Sequence, residues 1–169
     1  MKKVLAIAVG VIALGAGIFF LFDGRHEPDS NVLSKSTAQN ELPYMTVLMR
    51  DGSRLQLRDF TEKTILVLYQ PDCDHCQREA NEIEAHLDSF KDYNIYFITT
   101  ESFEKIDQFA KDYNLEGHDH VFFGQTQVGH IINNFGQISA PSVYVYGEGG
   151  NLKRRFNGET RIEDIVKSL

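Results

Sequence analysis

Thr64-Ile-Leu-Val-Leu-Tyr-Gln-Pro-Asp-Cys-Asp-His-Cys-Gln-Arg-Glu79 is the stretch that decides how this chain folds. Its first half, Thr64 to Gln70, is a nearly continuous apolar run and reads as a central strand buried on both faces. Beyond it, Cys76, Ala80, Ile83, Leu87 and Phe90 recur at spacings of four, three, four and three, which is one face of a helix. Between strand and helix stands Cys73-Asp74-His75-Cys76, with the only two cysteines of the chain. Two intervening residues allow the pair to close a small disulfide. At a helix start the dipole and the free N–H groups favour a thiolate. The helical pattern puts Cys76 on the buried stripe and leaves Cys73 at the exposed tip. In this context C-x-x-C reads as a redox pair. A disulfide spanning so short a loop constrains the unfolded chain little, so reactivity is a better account of it than stability.

The flanking sequence reads as alternating strands and helices. Thr46–Met49 and Arg54–Leu57 flank Asp51-Gly52, a tight-turn signal, and predict a hairpin. Asn94–Thr100 reads as a second strand, and Ser102 as the cap of a helix with Phe103, Ile106, Ala110 and Tyr113 inward. Val121–Phe123 reads as a short strand. Thr126 reads as the cap of a helix that buries Val128, Ile131, Ile132 and Phe135 and stops at Gly136. Ser142–Tyr146 and Leu152–Phe156 predict a second hairpin, and Thr160-Arg-Ile-Glu163 a capping box before a last helix. Early strands separated by helices pair in parallel, and the closing hairpin adds antiparallel strands. The expected fold is α/β, a central mixed sheet flanked by helices with an N-terminal hairpin, over residues 44–169.

On these residues the chain resembles the thioredoxin-fold proteins, and more narrowly the membrane-anchored thiol–disulfide oxidoreductases of the TlpA/ResA type. Three features carry the resemblance: Cys73-Asp-His-Cys76 after the central strand, Glu79 three residues past the second cysteine, and Pro141 in Ala140-Pro141-Ser142-Val143 before the last hairpin. The resemblance implies a cis proline beside the disulfide. It implies protein dithiols and disulfides as substrates and, as redox centre, the Cys73–Cys76 disulfide itself with no dissociable cofactor. The chain departs from the family pattern at Asp72, where Trp is frequent, and at Asn81, where Pro is frequent. Val67 stands where thioredoxin itself carries a buried Asp. Peroxiredoxins share features of this fold, but no Pro-x-x-x-Thr-x-x-Cys pattern occurs in the chain.

The candidate chemistry divides among five residues. Cys73 is the attacking thiolate and Cys76 the thiol that resolves a mixed disulfide. A protonated His75 favours thiolate over disulfide and makes the pair more oxidising, while Asp72 and Asp74 oppose it. Glu79, one turn beyond Cys76, is placed to take a proton from the buried thiol. Pro141 packs backbone against the sulfurs without offering an N–H. Two other readings remain open. Cys73 and Cys76 with His118 or His120 have donor types that suit Cu(I) or Zn²⁺, as in a metal chaperone. A docking domain that uses only the groove beside Pro141 has no need of the cysteines.

Val4 to Phe22 is a run of 19 uncharged residues, about 29 Å long as a helix and enough to cross a bilayer core. Lys2 and Lys3 before it favour a cytoplasmic N-terminus. Its end, Ile18-Phe-Phe-Leu-Phe22, is a poor cleavage site, so an uncleaved anchor over residues 1–22 is expected in preference to a signal peptide. Residues 23–43 read as a polar linker. The expected product is a single-pass protein of the cytoplasmic membrane with its C-terminal domain on the periplasmic or extracellular side, where disulfides persist. The chain has 17 basic and 24 acidic residues, and without Lys2 and Lys3 the balance is 15 to 24. So acidic a domain argues against nucleic acid as a partner. Substrate proteins, an upstream redox partner and the direction of electron flow have no signature in the chain.

Overall fold

The computed structural model describes residues 40–169. The predicted anchor at 1–22 and all but the last residues of the 23–43 linker lie outside the described residues. Among those described, no helix is long and apolar enough to cross a membrane.

The strands are β1 (Thr46–Met49), β2 (Arg54–Gln56), β3 (Thr64–Leu68), β4 (Asn94–Thr99), β5 (Val121–Gln125), β6 (Ser142–Tyr146) and β7 (Leu152–Asn157). The helices are α1 (Asp74–Ala85), α2 (Phe103–Asp112), α3 (Val128–Phe135) and α4 (Ile162–Val166). One mixed sheet has the order β2-β1-β5-β4-β3-β6-β7. β3, β4 and β5 run parallel, and the two hairpins add antiparallel strands at either side.

All five residues of β3 are buried. The pleat sends them alternately to two cores. Ile65 and Val67 join Cys76, Ala80, Ile83, Phe97, Phe109, Val143 and Ile162 under α1, α2 and α4. Leu66 and Leu68 join Leu42, Met45, Val47, Tyr96, Ile98, Phe135 and Tyr144 under α3 and the segment before β1. Helices therefore cover both faces, as an apolar strand without alternation requires.

Four local expectations are corrected. The stripe that ends in Leu87 and Phe90 is buried as predicted, but α1 stops at Ala85 and a 3-10 turn, Leu87–Phe90, carries those two side chains. Ser102 is the N-cap of α2 by backbone geometry, yet its side chain makes no capping bond; Phe109, absent from the predicted face, packs on Tyr69 with ring centroids 4.5 Å apart. Gln127 holds the N-cap position of α3 with no side-chain capping bond, and the Thr126 hydroxyl donates instead to the Thr46 carbonyl (2.9 Å). Ile131 and Phe135 face the core, while Val128 and Ile132 are 58% and 57% exposed. The predicted capping box does not form. Arg161 is the N-cap of α4, and the Thr160 N–H is bonded to Glu79.

Gly124 marks a close approach between β5 and β1, opposite Met49. A Cβ there would run into Val47 Cγ1 in the second core. Gly124→Ala is expected to cost about 1–3 kcal/mol, the usual range for overpacking a core. Urea denaturation should show it as a lower midpoint with an unchanged slope.

Candidate active site

Strand register assembles the site. At the C-terminal end of β3, Leu68 pairs with Ser142, the first residue of β6, and Ser142 in turn pairs with Asn157, the last residue of β7. The loop after β3, the loop before β6 and the turn after β7 therefore meet at one end of the sheet. They carry Cys73, Pro141 and residues 158–160.

Cys73 is the N-cap of α1 in extended conformation, and its carbonyl accepts the Gln77 N–H (3.0 Å). Its thiol is half-buried and donates towards the Ala140 carbonyl at 3.8 Å. The Ala140–Pro141 bond is cis. Cys76, one turn on, is buried, and both cysteines are free thiols. Desolvation pushes the Cys76 thiol up to about 12, opposed by the Gln70 N–H that donates to its sulfur (3.4 Å). The two cysteines thus differ in kind: one is accessible at a helix tip, and the other is held as a buried thiol.

Glu79 is buried in the same helix, 2% exposed. Oε2 accepts the Thr160 N–H (2.9 Å), and Oε1 has no hydrogen-bond partner among the described residues. Burial raises its carboxyl to about 7; the Thr160 bond works against this, and the negative charges of Glu159 and Glu82 add to it. A carboxyl that titrates near neutrality beside a buried thiol can take a proton from it and return it. Its charged form also adds to the elevation of Cys76.

His75 projects from the outer side of α1. Its Nδ1 lies 2.6 Å from Glu159 Oε2 and 2.8 Å from Arg78 Nη2. The first contact needs a proton on Nδ1 and the second needs a lone pair, so the tautomer of the ring decides between them. Glu159 also accepts from Arg78 Nε (2.7 Å) and Nη2 (2.8 Å). Neither Arg78 nor Glu159 has a motif that could have disclosed it. On the other flank, Lys105 Nζ binds Asp72 (2.6 Å) and Glu101 (3.2 Å), which offsets one of the two acids expected to oppose His75.

His118 and His120 are not part of this site. They precede β5, which runs parallel to β4 and β3, so they lie at the opposite end of the sheet from Cys73. The His120 carbonyl accepts the Ile95 N–H at the start of β4. Among the described residues no group of three or more His, Cys, Asp or Glu could hold a metal ion. The copper or zinc reading that joined a loop histidine to the cysteines is corrected on that ground.

The fold and the paired, unequal thiols define a thioredoxin-like thiol–disulfide oxidoreductase. A family model, the AhpC/TSA family, matches residues 38–154, and the chain belongs to that family. The sequence matches no curated protein. Among solved structures it is similar to a secreted Mycobacterium tuberculosis disulfide oxidoreductase homologous to E. coli DsbE. That match has 15% identity and a TM-score of 0.62, over 74% of this chain and 93% of the other. StoA from Bacillus subtilis matches at 15% identity and a TM-score of 0.57, over 73% and 93%. A peroxiredoxin-like protein from Aquifex aeolicus matches at 10% and 0.62, over 76% and 82%. At such identities the likeness is one of fold.

Proposed function

We propose that the chain is a membrane-anchored, extracytoplasmic oxidoreductase of the TlpA/ResA type that exchanges disulfides with proteins through Cys73 and Cys76, chiefly as a reductase. The observation that carries this reading is the asymmetry of the two thiols: Cys73 at a helix tip beside the Ala140 carbonyl, Cys76 buried one turn from a carboxyl raised to about 7. In the reducing direction the Cys73 thiolate attacks a substrate disulfide, an S–S bond forms to the substrate, and one substrate thiolate leaves. Cys76 then gives its proton to Glu79 and attacks the Cys73 sulfur. The mixed disulfide breaks, the second substrate thiol is released, and the pair ends oxidised by two electrons. The Cys73–Cys76 pair is the redox centre; an upstream dithiol reduces its disulfide back to two thiols and leaves as a disulfide itself. Arg78 supplies positive charge near the thiolate, a protonated His75 adds to it, and Pro141 holds backbone beside it. The apolar run Val4–Phe22 supports the anchor, and the similar Mycobacterium tuberculosis oxidoreductase is itself secreted, in agreement with the compartment.

Equilibration of the full chain with glutathione buffers tests the reading. A single two-electron transition is expected between about −270 and about −120 mV, the span of thioredoxin-fold disulfide proteins, towards the reducing end. A pair that stays as free thiols throughout that range would refute redox chemistry, and a value near the upper limit would reverse the direction to oxidase or isomerase.

A further inference from the structure

The turn from Gly158 to Thr160 makes three contacts with the site, each to a different part. Gly158 N–H donates to the Pro141 carbonyl (2.8 Å), and Thr160 N–H donates to Glu79 Oε2 (2.9 Å). Between them, the Glu159 carboxylate takes two bonds from Arg78 and faces His75 at 2.6 Å. The two backbone bonds hold the turn in place whatever side chain stands at 159. That side chain is therefore free to act as a charge.

We propose that Glu159 is a positioning residue for the redox reaction: it masks the Arg78 cation on the first turns of α1, and so keeps the Cys73–Cys76 pair less oxidising than that cation alone would make it. The inference rests on the redox reading of the two cysteines. A cation beside Cys73 stabilises a thiolate but not a disulfide, so it raises the reduction potential. A carboxylate that takes two bonds from the Arg78 guanidinium removes most of that field. The carboxylate is charged throughout the neutral range, because Arg78 and then His75 hold it down at about 2. Arg78 in turn feels Glu159 first, and Asp74 and Cys73 after it. The side chains of His75, Arg78 and Glu159 are 63%, 53% and 34% exposed. Solvent therefore screens the effect, and salt should shrink it.

The test is the glutathione equilibrium of the full chain at low and at 1 M salt, for wild type, Glu159→Gln, Arg78→Gln and the double variant. Gln keeps the shape and an acceptor for Arg78 and loses the charge. Glu159→Gln is expected to shift the equilibrium constant about three- to tenfold towards the dithiol, roughly 15–30 mV upward. The shift should shrink at 1 M salt and be smaller when Arg78 is already Gln, as coupled groups require. A structural role alone would lower the melting temperature without moving the potential. An unchanged or lowered potential in Glu159→Gln overturns the proposal, as does a shift of equal size in the Arg78→Gln background. A wild type that forms no Cys73–Cys76 disulfide would overturn instead the redox reading beneath it.

Discussion

Cys76→Ser is expected to stop the exchange cycle at its midpoint, so that covalent adducts between Cys73 and partner proteins accumulate and appear as dithiothreitol-sensitive bands on non-reducing gels. Cys73→Ser is expected to give none. Both variants should lose turnover by a thousandfold or more, on the order seen when a nucleophile is removed. The asymmetry follows from position. Cys73 caps α1 half-exposed, with its sulfur 3.8 Å from the Ala140 carbonyl, where a substrate disulfide can reach it. Cys76 is 2% exposed and, at about 12, is almost wholly a thiol at neutral pH. Thiolates attack and thiols do not, so Cys76 reacts only once a neighbour has removed its proton and the target sulfur is already next to it. Equal trapping by the two variants would mean that either sulfur can attack, and the assigned order would fall.

Much of this arrangement was legible because its signals are local. A run such as Thr64–Tyr69, short, β-branched at several positions and without polar alternation, reads as a strand covered on both faces, and β3 is one. Asp51-Gly52 named its hairpin, since a tight turn needs a residue that accepts positive φ, and Gly52 has φ +85°. The 3.6-residue stripe on Cys76, Ala80 and Ile83 separated the buried cysteine from the half-buried one. Where the reading failed, a distant partner decided the outcome. Thr160-Arg-Ile-Glu163 has the composition of a capping box, but Glu79, 81 positions away in sequence, binds the Thr160 N–H. Glu159 stands in no motif, and its partner His75 lies 84 positions away. The stripe on α3 was apolar over a wider arc than an eight-residue helix can press against a sheet, so periodicity alone could not tell Ile131 and Phe135 from Val128 and Ile132. The site's charges were partly visible and their pairing was not, because pairing depends on register between β6 and β7 that no local pattern encodes.

Glu79→Gln is expected to stabilise the fold while slowing the chemistry, and the two effects should have opposite readouts in pH. Glu79 moves from an ordinary 4.5 to about 7 when the chain folds, with desolvation as the leading cause. Between those values the native state holds a proton that the unfolded chain has released. Stability therefore falls as pH rises from about 4.5, and the fall levels off above about 7. The full difference is about 3 kcal/mol, at about 1.36 kcal/mol for each unit. Gln has no charge to desolvate, and its amide oxygen can still accept the Thr160 N–H. Denaturant titrations should find the variant equal to wild type near pH 4 and more stable by about 2–3 kcal/mol at pH 8. In the same variant, release of the mixed disulfide should slow by about 10²–10⁴-fold, the usual worth of a positioned general base. The rate should rise with hydroxide, where wild type instead passes through a titration near pH 7. A variant with no gain at pH 8 would mean that Glu79 reaches water in the folded state. An unchanged release rate would remove it from the proton path to Cys76.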